Sequence, residues 1–267
     1  MTDIALAAGL TTYLREAWGD DVEVSNLSQS TAGARRTNVV FDATVNGTTR
    51  RLVATIVPHG ETIINPIEAE AAVRDVAEKA GVAVPHVHLV RRDGELVGGP
   101  FMISDFVEGE TVPRRVLRLV EQHGIGELVA RQLGESLARL HAIDPASVSV
   151  PLRRHEYDGP PAGAALKSLR AAVDALPQRR PALELGLKWL ERHLPDPPER
   201  ETIVHSDTRN GNIIVGEDGL RAVLDWEGTL ASGDPMQDLA WPALRMWRFR
   251  NDDKEIGGFA GREPYIE

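Results

Sequence analysis

Cysteine is absent from the 267-residue sequence, which excludes disulfides, thiolate zinc sites, iron–sulfur clusters and a cysteine nucleophile, and fits a cytoplasmic protein. Long apolar runs are missing too. Nowhere do about 18 apolar residues follow one another unbroken, so no segment reads as a bilayer span. The opening MTDIALAAGL carries Asp3 and lacks the basic start and long apolar stretch of a secretory signal. Basic charge is in short supply: 30 Lys and Arg against 40 Asp and Glu leave a net −10. That balance argues against a sequence-independent nucleic-acid binder, whose affinity comes from neutralising phosphates. It leaves anionic substrates open, because a local cation or a metal can reverse the field inside one cleft. What is present is apolar material, 42% of the residues, enough for a sizeable core in one large domain or two small ones. The reading at this level is a soluble protein.

The first third patterns as mixed α and β. Two β-rich runs, Thr37 to Thr44 and Arg51 to Val57, flank Asn46-Gly47, the pair that suits a type I′ hairpin turn because both central residues need positive φ. Pro66 to Ala80 reads as a helix with Pro at its start and Gly81 at its end. Two shorter β-like runs follow, His86 to Val90 and Phe101 to Phe106. Leu128, Leu133, Leu137 and Leu140 then recur at helical spacing between Gly126 and His141. Helical stretches at Ala164 to Leu176 and Ala182 to His193 end at Pro195, Pro197 and Pro198. Beyond them lie three short apolar runs, at Thr202 to Val204, Asn212 to Val215 and Arg221 to Leu224. The pattern predicts a small β-rich lobe, residues 1–107, a connector near 104–110 and a larger helical lobe, residues 108–267.

The chemistry concentrates in Ile203 to Trp241. His205-Ser206-Asp207 closes one apolar run, Asn212 lies five residues after Asp207, and Asp225 closes another run. A loop carrying a carboxylate and an amide, opposite a second carboxylate at a strand end, gathers hard oxygen groups of the kind that share Mg²⁺ with phosphates and water. The spacing H-x-D-x-x-x-x-N is that of the kinase catalytic loop, with Asp225 in the place of the DFG aspartate. Together with Asp225-Trp226-Glu227 and the run Gly233-Asp234-Pro235-Met236-Gln237-Asp238-Leu239-Ala240, the segment resembles the aminoglycoside phosphotransferase-like, or choline-kinase-like, branch of the protein-kinase-like fold. Members read H-G-D-x-x-x-x-N, then D-W-E, then G-D-P-x-x-D-L-A.

The resemblance implies an α+β, two-lobe protein-kinase-like fold with a small β-rich N-lobe that binds nucleotide and a mainly helical C-lobe that carries the catalytic loop and acceptor site. It implies ATP or GTP as co-substrate, Mg²⁺, and a small hydroxylated acceptor, with no nucleic acid and no membrane among the partners. Asp207 would accept the acceptor proton, Arg209 would offset charge near the transferred phosphoryl group, and Asn212 and Asp225 would hold the metal. Upstream, Gly33 and Arg36 fall in the phosphate-loop region, Glu70 where kinases carry the αC glutamate, and Ser104, Asp105, Phe106 and Val107 where a hinge bonds adenine.

Other readings stand beside these. Gly33 also suits an ordinary hairpin turn, and Glu70 a solvated helix face. Glu227 suits either a metal or water, with water favoured; His205 and His141 read as structural, Asp234 as a helix cap, and Trp226, Trp241 and Trp247 as packing residues. Two departures from the family pattern stand out. Aligning Val53-Ala54-Thr55-Ile56 with the third-strand motif puts apolar Ile56 where a Lys or Arg is expected, so Arg35, Arg36 or Arg51 must substitute or nucleotide binding is weakened. Relatives usually continue past the point matching Glu267 with helices that wall the acceptor pocket, so the C-lobe reads as truncated and that wall as incomplete or supplied by another chain. A degenerate kinase-like protein that binds without turnover is the alternative reading, and a metal-dependent phosphatase the third.

Overall fold

The computed structural model describes residues 2–19, 21–30 and 36–267. Helix α1 (Asp3–Trp18) starts where the Thr2 hydroxyl accepts from the Ala5 amide and stops at Gly19, whose φ of 107° ends the helical path. It lays Leu6, Leu10, Tyr13 and Leu14 on a sheet formed by β1 (Val22–Ser30), β2 (Thr37–Val45) and β3 (Thr48–Ile56). Asn46 and Gly47 join β2 to β3 with φ of 48° and 76°, the turn the sequence predicts. Helix α2 (Ile67–Lys79) and strands β4 (Val87–Arg91) and β5 (Phe101–Asp105) complete this lobe, with strand order β1-β2-β3-β5-β4.

Along β3, burial alternates as the pleat demands. Leu52, Ala54 and Ile56 enter the core beneath α1, and Val53 and Thr55 face a cleft on the other side. Ile56 is therefore a core residue. The expectation that it occupies a cation position facing the nucleotide fails by one residue of register, which reverses every side chain of a strand.

The second lobe contains α3 (Pro113–His123), α4 (Gly126–Ala142), α5 (Pro161–Asp174) and α6 (Pro181–Arg192). Two small antiparallel pairs follow, β6 (Thr202–Val204) with β9 (Leu230–Gly233), and β7 (Ile213–Gly216) with β8 (Gly219–Val223). Helices α7 (Pro235–Ala240) and α8 (Glu263–Ile266) end the order. Leu133, Leu137 and Leu140 of α4 form the middle of the core, against Ile203, Ile213, Val223 and Trp226. Among the described residues no helix is long and apolar enough to cross a membrane.

The lobes are joined at the back of the cleft by Asn65, which is 1% exposed. Its Nδ2 donates to the carbonyls of Glu227 and Thr229 at 3.0 and 2.7 Å, and its Oδ1 accepts from the Arg153 amide at 2.9 Å. Three backbone groups thus bond to one side chain. Asn65→Ala removes all three bonds in a dry site, and a loss of about 3 kcal/mol is expected in denaturant unfolding, well above the cost of an exposed amide truncation.

Candidate active site

The loop of the H-x-D motif begins where β6 ends. His205 is fully buried and acts through both ring nitrogens: Nε2 lies 3.0 Å from the Leu224 carbonyl, and Nδ1 accepts from the Asp207 amide at 3.3 Å. That pairing makes Nε2 the protonated nitrogen. The ring also meets Trp226 edge-on at 4.7 Å, so both residues serve the frame of the site, as the sequence predicts. Ser206 sits at φ 76°, in a region where a non-glycine residue is strained; the family glycine at this position has a plain conformational reason. The buried carboxylate of Asp238 holds the turn, accepting from the His205 amide (2.8 Å), the Ser206 amide (2.7 Å) and His141 Nε2 (3.0 Å). Asp238 is supplied by α7, whose start is capped by Asp234 through the Met236 amide at 2.9 Å, the structural role expected of it.

The loop brings the predicted chemical groups together. Asn212 donates through Nδ2 to Asp207 Oδ2 at 2.6 Å and to the Asp207 carbonyl at 3.0 Å, and stands 3.5 Å from Asp225 Oδ2. With its amide nitrogen turned to Asp207, its carbonyl oxygen is left for other contacts. Asp225 is held at φ 66° at the entry to the short helical turn Trp226–Gly228. Burial, then the carboxylates of Glu227, Glu70 and Asp207, push its acid above the ordinary aspartate range, with His205 offsetting only part. Asp207 Oδ1 meets Arg209 Nε at 3.1 Å and Trp241 Nε1 at 2.6 Å, and the Arg209 guanidinium lies over the Trp247 ring at 4.4 Å. Gly211, at φ 116°, leaves the space that Arg209 occupies: a Cβ there would lie 2.7 Å from Nη1.

Across the cleft, Arg36 stands immediately before β2. Its Nη1 pairs with Glu70 at 2.5 Å and its Nε with Glu227 at 3.1 Å. Burial works against its charge, yet the carboxylates of Glu70, Glu227 and Asp225 hold it protonated more firmly than usual. Glu70, 2% exposed, is no solvated helix residue. Glu227 is ion-paired, so its assignment to water does not hold. Arg51, the other described candidate to substitute for the expected cation, lies over the Phe106 ring instead; Gly33 and Arg35 lie outside the described residues. One turn beyond Glu70, Arg74 is 5% exposed and lines the inner end of the cleft, bonded to the Pro85 carbonyl (2.7 Å) and Met102 Sδ (3.3 Å), with Nε unbonded. Burial pushes its guanidinium below the usual value.

One cleft of about 720 Å³ is lined by Arg36, Glu70, the segment Ser104 to Val107, Asp207, Arg209, Asn212 and Asp225. In the hinge segment the amides of Asp105 and Phe106 donate to the carbonyls of His86 and Arg51, and the Asp105 carboxylate bonds His88 at 2.6 Å. Among the described residues the Val107 amide has no partner. Sequence reasoning passed over Asn65, Arg74 and the part played by Asp238, and took Trp241 for packing alone. The i, i+4 spacing from Glu70 to Arg74 was the available signal for one of them.

The profile of the phosphotransferase enzyme family matches residues 29–263. The chain belongs to this family. Among relatives of this phosphotransferase-family chain, acyl-CoA dehydrogenase family member 10 of Mus musculus is 31% identical over 202 residues, covering 73% of this chain but 18% of its own length. The chain thus spans under a fifth of that relative. Two solved structures share the fold. A candidate aminoglycoside phosphotransferase from Ralstonia eutropha superposes with a TM-score of 0.61 at 22% identity, over 97% of this chain and 76% of the other. Aminoglycoside phosphotransferase APH(4)-Ia, in a ternary complex with ADP and hygromycin B, gives 0.57 at 19% identity, over 90% and 77%. The fold is the protein-kinase-like α+β arrangement that the motif implies.

The raised pKa of Asp225 has a consequence for stability. The folded chain keeps that proton to higher pH than the unfolded chain, so stability falls as pH climbs from the ordinary aspartate range through the raised value. Asp225→Asn is expected to raise the melting temperature of the metal-free protein by about 2–4 °C at neutral pH, to flatten its pH dependence in that window, and to abolish further stabilisation by Mg²⁺ with nucleotide. Thermal unfolding across pH, with and without Mg-ATP, measures all three.

Proposed function

We propose that the protein transfers the γ-phosphoryl group of ATP or GTP to a hydroxyl of a small molecule in a Mg²⁺-dependent reaction, with Asp207 as the base. The observation that carries this reading is the junction at Asn212, where one amide touches Asp207 and stands beside Asp225. Asp207 Oδ2 would accept the proton as the acceptor oxygen bonds to the γ-phosphorus and the bond to the β-phosphate oxygen breaks, releasing ADP or GDP. Arg209, within the same cleft, offsets negative charge beside the transferring group. Arg36 with Glu70, and the hinge from Ser104 to Val107, would hold the nucleotide. In this scheme residues 1–107 bind nucleotide and 108–267 supply the catalytic loop and the acceptor site.

The donor set suits Mg²⁺: an aspartate carboxylate and an amide oxygen, hard ligands too few to enclose the ion, which leaves coordination positions for phosphate and water. Buried Asp225, crowded by other carboxylates, would also gain from a cation. Asn212 and Asp225 would hold the ion, whose contribution is to neutralise charge on the phosphates.

Binding without turnover, the alternative, rests on an apolar residue at the cation position and on a C-lobe that reads as truncated; Arg36 in contact with Glu70 weakens the first of these grounds. The relatives named for acyl-CoA dehydrogenation favour including hydroxyacyl-CoA thioesters, beside aminoglycosides and macrolides, in the acceptor panel.

The test is transfer of labelled γ-phosphate from Mg-ATP and Mg-GTP across that panel. Asp207→Ala is expected to lower kcat by about 10²–10⁴-fold while calorimetric affinity for Mg-nucleotide stays within a few-fold. Equal turnover in the variant rules out the base assignment, and absence of transfer by the wild-type chain to every acceptor class rules out the reading.

A further inference from the structure

We infer that Trp241 is a positioning residue for the proposed base, fixing through its indole N–H which carboxylate oxygen of Asp207 meets the acceptor hydroxyl; this rests on the phosphotransfer reading above. The indole Nε1 lies 2.6 Å from Asp207 Oδ1, a close hydrogen bond from a neutral N–H to a carboxylate. Arg209 Nε reaches the same oxygen at 3.1 Å, so Oδ1 carries two donors. Oδ2 carries one, the Asn212 amide. A carboxylate oxygen has two in-plane acceptor positions, which leaves Oδ1 filled and Oδ2 with an open one. Asp207 is half-buried on a loop that could otherwise present either oxygen, and without the indole the carboxylate is free to turn about its terminal bond, whose preference is broad.

The placement of Trp241 strengthens the inference. It is the residue at the C-terminal end of α7, and its amide donates to the Asp238 carbonyl at 3.3 Å. The side chain of Asp238, from that helix, takes the backbone amides of His205 and Ser206. One short helix therefore grips the catalytic loop twice, at its backbone through Asp238 and at its reacting side chain through Trp241. The second tryptophan of the segment, Trp247, lies under the Arg209 guanidinium, so both donors on Oδ1 are set by the stretch that follows Asp238.

A packing role and a hydrogen-bonding role are separable by an isostere. Benzothienylalanine at position 241 keeps the shape of the indole and replaces N–H by sulfur, so the fold is preserved while the donor is lost. Hydrolysis of Mg-ATP with water as acceptor, which needs no identified substrate, is expected to fall about tenfold or more, with the Kd for Mg-ATP within twofold of wild type. Wild-type hydrolysis in the isostere, or a parallel loss of nucleotide affinity, overturns the inference. A second measurement needs no turnover: among the five indole N–H resonances, the one missing from the isostere is Trp241, and Asp207→Ala is expected to move it upfield in the otherwise native chain. An unmoved resonance also overturns the inference. A wild-type chain that hydrolyses no nucleotide would count against the phosphotransfer reading, and the indole shift would then decide on Trp241 by itself.

Discussion

The carboxylate of Asp238 is the constraint on which the site depends. It is fully buried, and a bare carboxylate in such a place would be costly to ionise. Two backbone amides and a histidine ring satisfy it, while the Thr208 hydroxyl bonds its carbonyl at 3.2 Å. Those bonds hold Ser206 in a left-handed conformation that a serine adopts at a cost of about 1–3 kcal/mol. The turn is thereby locked with Asp207 directed to the cleft and His205 directed to the core. The Asp207 carboxylate, the base we propose, owes its aim in part to a residue it does not touch.

Charge in the cleft follows a similar logic of distance. Glu70, Asp207, Asp225 and Glu227 crowd one region, and among the described residues cations reach it from three segments: Arg36 just before β2, Arg209 from the loop after β6, Arg74 from α2. Arg36 bridges Glu70 and Glu227, which ties the helix α2 to the turn after Asp225. Asp225 itself is left with an acid weaker than usual. An acidic chain can hold a polyanionic nucleotide only where such local compensation exists, and here it is concentrated at the lobe junction.

Much of this was legible beforehand because the signals were local. Asn46-Gly47 needs positive φ wherever it falls between strands, and His205, Asp207, Asn212 and Asp225 are fixed in spacing by a loop and one strand pair. Long-range partners left no such trace. Which face of β3 meets the cleft depends on pairing register with β2 and β5, so Val53-Ala54-Thr55-Ile56 could be aligned one residue out, and Arg36 stood only as one of three candidates for the cation. Asn65 precedes a helix without any capping pattern and meets residues more than 80 positions away. Trp241 and Trp247 read as core material since aromatic side chains usually are, and only the fold brings them beside Asp207 and Arg209.

The three bonds of Asn65 have one more implication. They fasten the first lobe to the second through side-chain hydrogen bonds, while the end of the connector is pinned within the second lobe where Glu110 pairs with Val215. The Arg36–Glu227 ion pair ties the same two lobes, so side-chain contacts as well as the covalent connector hold the two walls of the cleft together.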